Sequence, residues 1–220
     1  MDLPPEGYFT GQQLVLAKAI RDGNIGDIKR LAKETDLNSP GEHDMTLLFF
    51  ALATSTHDNA TSERLQIATE LVKAGADPLQ PRPNGGASPA EWMAKLDNGI
   101  WLKALLDGGL SPNARGKLDG LPIIFQTIKS SNTETMATLI KYGADINIQD
   151  RLKRTPLVEC AYLGRIDHMN LLLKHGANPF IEDRFGENFV DLLDDKIKKT
   201  EGNDSLHTRY LELKKQLRVQ

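Results

Sequence analysis

The stretch DRLKRTPLVECAYLGRIDHMNLLLKHGANP, residues 150–179, contains two short apolar-periodic segments between two turn signals. Thr155 before Pro156 is typical of a helix N-cap followed by the first helical turn. Gly164 separates the two segments, and Gly176 supplies the positive φ that ends a helix at little cost. The stretch therefore predicts a unit made of a turn, a helix, a short turn, a second helix, a glycine stop and a loop.

The glycine stop recurs along the chain at a nearly constant interval. It appears in the phrases LVKAGADPL (71–79), LLDGGLSPN (105–113), LIKYGADIN (139–147) and LLKHGANPF (172–180). Their glycines are Gly75, Gly109, Gly143 and Gly176, which are 34, 34 and 33 residues apart. A helix-start signature precedes each glycine: TLLF (46–49), SPAE (88–91), LPII (121–124) and TPLV (155–158). A fixed period of this length is the mark of a repeat array.

These two linked signatures resemble the ankyrin repeat over nearly the whole chain, from about Gln12 onward. The resemblance implies an all-α solenoid whose turns project as fingers beside the first helices. The chain also departs from the family pattern. The histidine that joins neighbouring turns in the family is replaced by Phe49, Glu91, Ile124 and Val158, so we expect a different turn network. Lys153 and Asp119 replace the usual turn glycine, and we expect both in a left-handed conformation.

The repeat predicts one ankyrin-repeat solenoid domain, residues 1–220, of about six helix-turn-helix units. The units are an N-cap at about 12–38, then 41–78, 84–113, 117–147 and 150–180, and a C-cap at 183–220. We expect at least ten helices, and fingers two to six near residues 40–45, 81–87, 114–120, 148–154 and 181–187. The second unit carries extra polar residues at 54–64. In the last unit, the stripe of Leu206, Tyr210, Leu213 and Leu217 suits a helix that covers the end of the core.

Composition excludes several classes of function for the 220-residue chain. Its net charge is −3, so it has no overall basic field for nucleic acid. No apolar run approaches the roughly 20 residues that a membrane-spanning helix needs. The start, MDLPPEGYFT, has neither a basic segment nor an apolar run, so we expect no signal peptide in this chain.

Motifs that carry chemistry are missing from the sequence. It has no Gly-rich phosphate loop, G-x-S-x-G, H-E-x-x-H or C-x-x-C, so we predict no enzyme activity, cofactor or metal. Cys160 lies where the family places a buried alanine, which favours packing over a reactive thiol. We interpret His168 and His175 as solvated residues, since a metal pair would lack further ligands. Phe50, Trp92 and Phe125 occupy the same position of the repeat. We interpret them as residues of the hydrophobic core and not as the wall of a binding site.

The finger tips are the candidate protein-binding surface, because the resemblance implies that ankyrin fingers and first helices bind proteins. Fingers three to five carry six basic residues against Asp119 and Asp150, a local balance of six minus two, or +4. Apolar tips among these charges favour an acidic protein partner over merely solvated loops. The predicted contact residues are Arg82, Asn84, Lys117, Leu118, Arg151, Leu152, Arg154, Tyr162, Leu163, Arg184 and Phe185.

A closer resemblance concerns residues 8–52 alone. This segment is similar to the N-terminal part of bacterial ankyrin-repeat proteins encoded beside type VI secretion lipase effectors. The resemblance implies a periplasmic immunity protein, an antitoxin-like inhibitor that binds a secreted phospholipase and is a monomer when free. The alternative in the same class is a general ankyrin adaptor in the bacterial cytoplasm. The alternative class is an enzyme with an unrecognised site, or a nucleic-acid or small-ligand binder.

Overall fold

A computed structural model describes residues 3–55 and 60–217 of the chain. Within these ranges the chain forms twelve α-helices and no strand, with one isolated bridge between Arg115 and Pro122. The helices are α1 (Gly11–Asp22), α2 (Ile25–Leu31), α3 (Leu47–Ser55), α4 (Ser62–Lys73), α5 (Pro89–Ala94), α6 (Ile100–Gly108), α7 (Ile123–Thr127), α8 (Glu134–Lys141), α9 (Pro156–Leu163), α10 (Ile166–Lys174), α11 (Phe189–Lys199) and α12 (Asp204–Leu217). The prediction of an all-α solenoid with at least ten helices is confirmed.

The helices stack in two layers. In the first layer, α1, α3, α5, α7, α9 and α11 each contact the next helix of the series. In the second layer, α2 contacts α4, α4 contacts α6, α6 contacts α8, and α10 contacts α12. A short helix pair cannot bury its apolar faces alone, so each unit depends on its neighbours for its core. The predicted fingers lie in the connections from the second layer back to the first.

The repeat glycines end the second helices in the way that the sequence predicts. Gly75, Gly109, Gly143 and Gly176 all have φ between +84° and +118°. After each of them the chain closes a Schellman motif, as where the Ala144 amide donates to the Leu139 carbonyl at 3.0 Å. The motif satisfies carbonyls that a helix end would otherwise leave open.

Asparagines join successive turns and form much of the turn network. In three places an asparagine Oδ1 accepts a hydrogen bond from the backbone amide of the next turn, at 2.7 to 2.8 Å. The pairs are Asn38 with Asp77, Asn113 with Asp145, and Asn147 with Asn178. The expectation that the turn network differs from that of the family stays a prediction.

The two expected left-handed turn residues behave differently. Lys153 has φ +59°, which confirms the prediction. The prediction for Asp119 was wrong, because the next residue, Gly120, has φ +66° and takes the left-handed position. Asp119 instead accepts a hydrogen bond from the Leu121 amide through its carboxylate, at 2.9 Å. The finger thus places its strained conformation on the residue that tolerates it best.

The core contains most of the predicted apolar positions. Phe50 and Phe125 are buried, whereas Trp92 is only half-buried. Cys160 is fully buried, and burial raises the pKa of its thiol, which confirms the packing interpretation. At the C-terminal end, Tyr210 and Leu213 of α12 are buried against the last units, as the stripe predicts.

The extra residues of the second unit make a shorter loop than expected. The prediction places them at 54–64, but α3 continues to Ser55 and α4 begins at Ser62. Residues 56–59 lie outside the described part of the chain. The Thr61 hydroxyl accepts a hydrogen bond from the Arg64 amide and caps α4.

His168 corrects an expectation, because it is buried and not solvated. It is 2% exposed on α10, and its Nε2 has no hydrogen-bond partner among the described residues. Burial is the main cause that lowers the pKa of His168, and the nearby Arg165 acts in the same direction, whereas Asp167 opposes it. Its apolar neighbours on the helix, Ile166 and Met169, are buried with it.

Close packing of α4 against α6 generates a first prediction. A Cβ added at Gly108 would lie 2.6 Å from Val72 Cβ and 3.0 Å from the Thr69 carbonyl oxygen. We expect Gly108→Ala to lower the free energy of unfolding by about 1–3 kcal/mol, because the two helices must separate to make room. Gly26→Ala is the matched control, since an added Cβ there meets only Asn24 Oδ1 at 3.5 Å. Urea denaturation checks this, and equal losses in both variants would contradict it.

Burial of His168 generates a second prediction. Its folded-state pKa lies below its unfolded value, so the unfolded chain binds more protons as the pH falls through about 6.5. Stability should therefore be lost on acidification, by at most about 1.4 kcal/mol per pH unit from this group. His168→Leu should flatten this dependence, whereas His175→Gln, at an exposed site, should not. Thermal melts between neutral and mildly acidic pH measure it; an unchanged slope in His168→Leu would refute it.

Candidate functional site

Fingers four to six form a continuous surface because hydrogen bonds connect each finger to the next. The Arg115 guanidinium of finger four donates to the Gln149 carbonyl at 3.0 Å. The Arg184 amide of finger six donates to the Leu152 carbonyl of finger five at 2.9 Å. Arg151 lies against Gly120, where an added Cβ would meet its guanidinium at 3.2 Å. These contacts hold the three tips in fixed positions relative to one another.

This continuous surface carries unpaired charge beside apolar tips. Leu118 is 58% exposed and Phe185 is 71% exposed. The side chains of Arg151, Lys153 and Arg184 are exposed, and no carboxylate of the described residues lies within 4 Å of them. We call these five residues the finger surface. Exposed aromatic and Arg side chains of this kind are enriched at protein interfaces.

Two predicted contact residues are engaged within the molecule. The Lys117 ammonium pairs with the Asp77 carboxylate at the turn after α4. Arg154 makes ion pairs of 2.7 Å with Asp150 and with Glu159, and its side chain is only 26% exposed. Arg154 is thus largely covered, whereas the Lys117 side chain remains 53% exposed beside its carboxylate. Contact of either residue with a partner stays a prediction.

Leu152 also departs from the prediction. It is half-buried, and its amide and carbonyl are both hydrogen-bonded within the fingers. Leu163, at the end of α9, is 55% exposed as expected. Sequence reasoning missed Phe180, which is 67% exposed in the turn after α10. The sequence did contain a signal. Phe180 follows its repeat glycine by four residues, as Asn113 and Asn147 do, but a phenylalanine cannot form the hydrogen bond that these asparagines make to the next turn.

Tyr162 is partly exposed, but it also serves the fold. Its hydroxyl donates to the Glu187 carboxylate at 2.5 Å and lies 3.2 Å from Asp183 Oδ2. The hydrogen bond to Glu187 is the main cause that raises the pKa of Tyr162. Asp183 is buried and accepts from the Phe185 amide at 2.7 Å, which shapes finger six. Tyr162, a predicted contact residue, thus also joins α9 to finger six through these hydrogen bonds.

Finger three forms a separate site, which we call the Arg82 pocket. The Arg82 guanidinium carbon lies 4.5 Å above the centre of the Phe49 ring. The Phe49 and Trp92 rings stack with their centres 5.9 Å apart and an angle of 21° between them. Asn84, Gly86 and Ala87 complete the lining of a cavity of about 400 Å³. Sequence reasoning selected Arg82 and Asn84 but placed the Trp92 position mainly in the core.

The described residues contain no candidate metal site. No group of three His, Cys, Asp or Glu side chains among them could hold a metal ion. In the same part of the chain, no helix combines the length and the apolar character that crossing a membrane requires. What the fingers present is a set of donors, cations and apolar side chains suited to contact with another macromolecule.

Comparisons with known proteins agree with this geometry. A family model for ankyrin repeats in three copies matches residues 91–183. Residues 91–183 thus match the ankyrin-repeat pattern. The ankyrin repeat domain of Bcl-3, a member of the IkappaB protein family, superposes with a TM-score of 0.68 over 98% of this chain and 86% of its own. Its sequence identity is 24%, so this likeness shows the fold alone. Ankyrin repeats typically serve as protein-interaction modules.

Related sequences come from several kinds of organism. Protein PhlB of Serratia liquefaciens is 28% identical over 152 residues, which are 69% of this chain and 63% of PhlB. SH3 and multiple ankyrin repeat domains protein 2 of Homo sapiens is 29% identical over 119 residues, 54% of this chain and 6% of that protein. The chain thus spans less than two thirds of the length of these relatives. The closer resemblance of residues 8–52 stays a prediction.

The different surroundings of Arg154 and Arg151 generate a third prediction. Arg154→Gln should lower the free energy of unfolding by about 2 kcal/mol, because it leaves the Asp150 carboxylate, whose side chain is 4% exposed, without its cation. Arg151→Gln should stay within about 0.5 kcal/mol of the parent protein, since its guanidinium has no acidic partner. Urea denaturation of both variants measures the difference, and similar stabilities would contradict the assignment of Arg154 to the fold.

Proposed function

We propose that the chain is a non-catalytic protein-binding module whose finger surface binds an acidic region of a partner protein. The observation that supports this most is the set of unpaired cations, Arg151, Lys153 and Arg184, beside the exposed Leu118 and Phe185. Cations without local carboxylates keep their full attraction for an acidic partner. Apolar tips between them supply the contact area that such a partner can bury.

The division between paired and unpaired cations sharpens this proposal. Arg154 and Lys117 hold the fingers in shape through their ion pairs, so their contribution to binding is indirect. The unpaired cations orient the partner at a distance and raise its association rate. The apolar tips become buried only in the complex, so they act mainly on dissociation.

The finer proposal concerns the partner's identity. Residues 8–52 resemble bacterial immunity proteins encoded beside type VI secretion lipase effectors. On this basis we propose that the partner is a secreted phospholipase effector, and that binding blocks its activity in the periplasm. The free module would be a monomer. A cytoplasmic adaptor role is the second candidate, favoured by the similarity to ankyrin repeats of larger proteins that the chain covers only in small part.

The immunity role predicts that the adjacent gene encodes a lipase effector, and its product is the partner to test in a fourth prediction. Arg151→Gln/Arg184→Gln should slow association about tenfold at low salt and weaken its salt dependence, since exposed charges act over about 8–10 Å. Leu118→Ala/Phe185→Ala should mainly raise the dissociation rate. Surface binding kinetics at several salt concentrations, together with inhibition of lipase activity by each variant, measure both effects.

The matched control is Lys33→Gln/Lys174→Gln, which removes the same charge from two exposed sites away from the fingers. Its association rate should remain near that of the parent protein. Normal kinetics in both finger variants, with intact melting, would move the interface to another face. If the lipase is neither bound nor inhibited, the immunity role is rejected and the adaptor role takes its place.

A further inference from the structure

The Arg82 pocket is built at the junction of finger three with α3 and α5. Phe49 of α3 is 3% exposed and Trp92 of α5 is half-buried, and their stacked rings form an apolar floor. The Arg82 guanidinium lies over one of these rings, in a cation–π arrangement. The backbone of finger three supports Arg82, since its carbonyl accepts from the Gly85 amide at 2.9 Å.

The guanidinium in this pocket lacks a counter-charge. No carboxylate of the described residues lies within 4 Å of Arg82, whereas Arg154 has two. The Arg82 Nε is also buried and has no acceptor in the described part of the chain. A buried donor without an acceptor costs free energy, so the pocket is incomplete as it stands. Its ring contact holds the guanidinium in place without satisfying its N–H groups.

The remaining lining fits a small anionic side chain. The Asn84 Oδ1 accepts from the Gly86 amide at 3.2 Å, while its side-chain nitrogen donates to no described residue. Gly86 and Ala87 take little space, which leaves about 400 Å³ open beside the rings. The pocket therefore presents donors from two residues, one positive charge and a flat apolar wall. A group with one negative charge, two acceptor oxygens and a short apolar stem matches this lining.

We propose that the Arg82 pocket binds the carboxylate of one glutamate or aspartate side chain on the partner protein. The planar guanidinium can meet a carboxylate with two parallel hydrogen bonds. A phosphate would carry more charge than this single lining cation balances. The proposal rests on the proposed function, because it assigns one acidic residue of the partner's surface to a defined pocket.

The experiment uses small peptides, so it does not depend on the partner's identity. The ¹⁵N-labelled chain is titrated with acetyl-Gly-Glu-Gly-amide, and the Trp92 indole N–H and Arg82 Nε–H signals are followed by NMR. Both signals should shift saturably at low salt. Trp101, the second tryptophan, is 5% exposed in α6 and serves as an internal control whose signal should not move.

Matched peptides and variants identify the bound group. Acetyl-Gly-Gln-Gly-amide should bind at least about tenfold more weakly, because it lacks the charge that strengthens the hydrogen bonds. Acetyl-triglycine with a free carboxylate tests a chain terminus as the occupant. Arg82→Gln should weaken glutamate peptide binding about tenfold or more, and Arg82→Lys should weaken it as well, since a point charge replaces the fork. Lys33→Gln, at an exposed site away from the fingers, should bind as the parent does. Melting curves confirm that each variant is folded.

Several results would overturn the pocket assignment. These are no saturable shift, equal shifts with the glutamine peptide, undiminished binding by folded Arg82→Gln, or tighter binding of the free terminus than of the glutamate side chain. If the pocket fails while the finger-surface variants still slow partner association, the proposed function survives without it. If the glutamate peptide binds but the finger-surface variants behave normally, the pocket stands and the finger surface is rejected.

Discussion

The hydrogen bonds from turn amides to asparagine side chains set the spacing on which the rest of this structure depends. Each such bond contributes only about 0.5–1.5 kcal/mol, but it fixes one turn against the next. Asn147 holds the turn after α10 and Asn113 holds the turn after α8, so the helices between them stack at constant intervals. The fingers begin just beyond these turns. Their tips can therefore form one surface, because the joined turns beneath them cannot shift independently.

The same framework decides which charges a partner meets. Lys117 and Arg154 lie where carboxylates of the turns reach them, at Asp77 and Asp150. Their ion pairs offset part of the positive charge that the fingers present, and Arg154 is also largely covered. Arg151 and Arg184 point away from any such carboxylate. A net count of charges along the sequence therefore overstates the field at the fingers, and the arrangement of turns determines which cations remain unpaired.

The architecture could be predicted from the sequence because its signals are local and repeated. A glycine stop and a helix-start signature each depend on only a few neighbouring residues. Because both recur at a fixed interval, each occurrence supports the interpretation of the others. The burial of His168, the pairing of Arg154 and the role of Tyr162 could not be predicted in this way. His168 and Tyr162 depend on contacts with the neighbouring unit, of which their own unit gives no signal. Arg154 pairs within its own unit with Asp150 and Glu159, and the folded turn decides that these carboxylates meet it. The prediction of a left-handed conformation at Asp119 was wrong for a local reason. The neighbouring Gly120 adopts a positive φ at lower cost and takes that conformation instead.

The Arg82 pocket follows from one of the departures from the ankyrin pattern. Phe49 stands at the position where the family has the histidine that joins turns. A phenyl ring cannot join turns by hydrogen bonds, so the asparagine ladder and the Arg115–Gln149 contact carry that task here. The position is thereby free to present an aromatic face, on which Trp92 stacks and over which the Arg82 guanidinium lies. In the next unit the equivalent Glu91 instead bonds the Ser88 amide at 2.7 Å and caps its own helix, so it forms no second aromatic floor. The histidine is missing from all four units, but only in this unit is it replaced by an aromatic ring, and the unpaired Arg82 guanidinium lies over that ring.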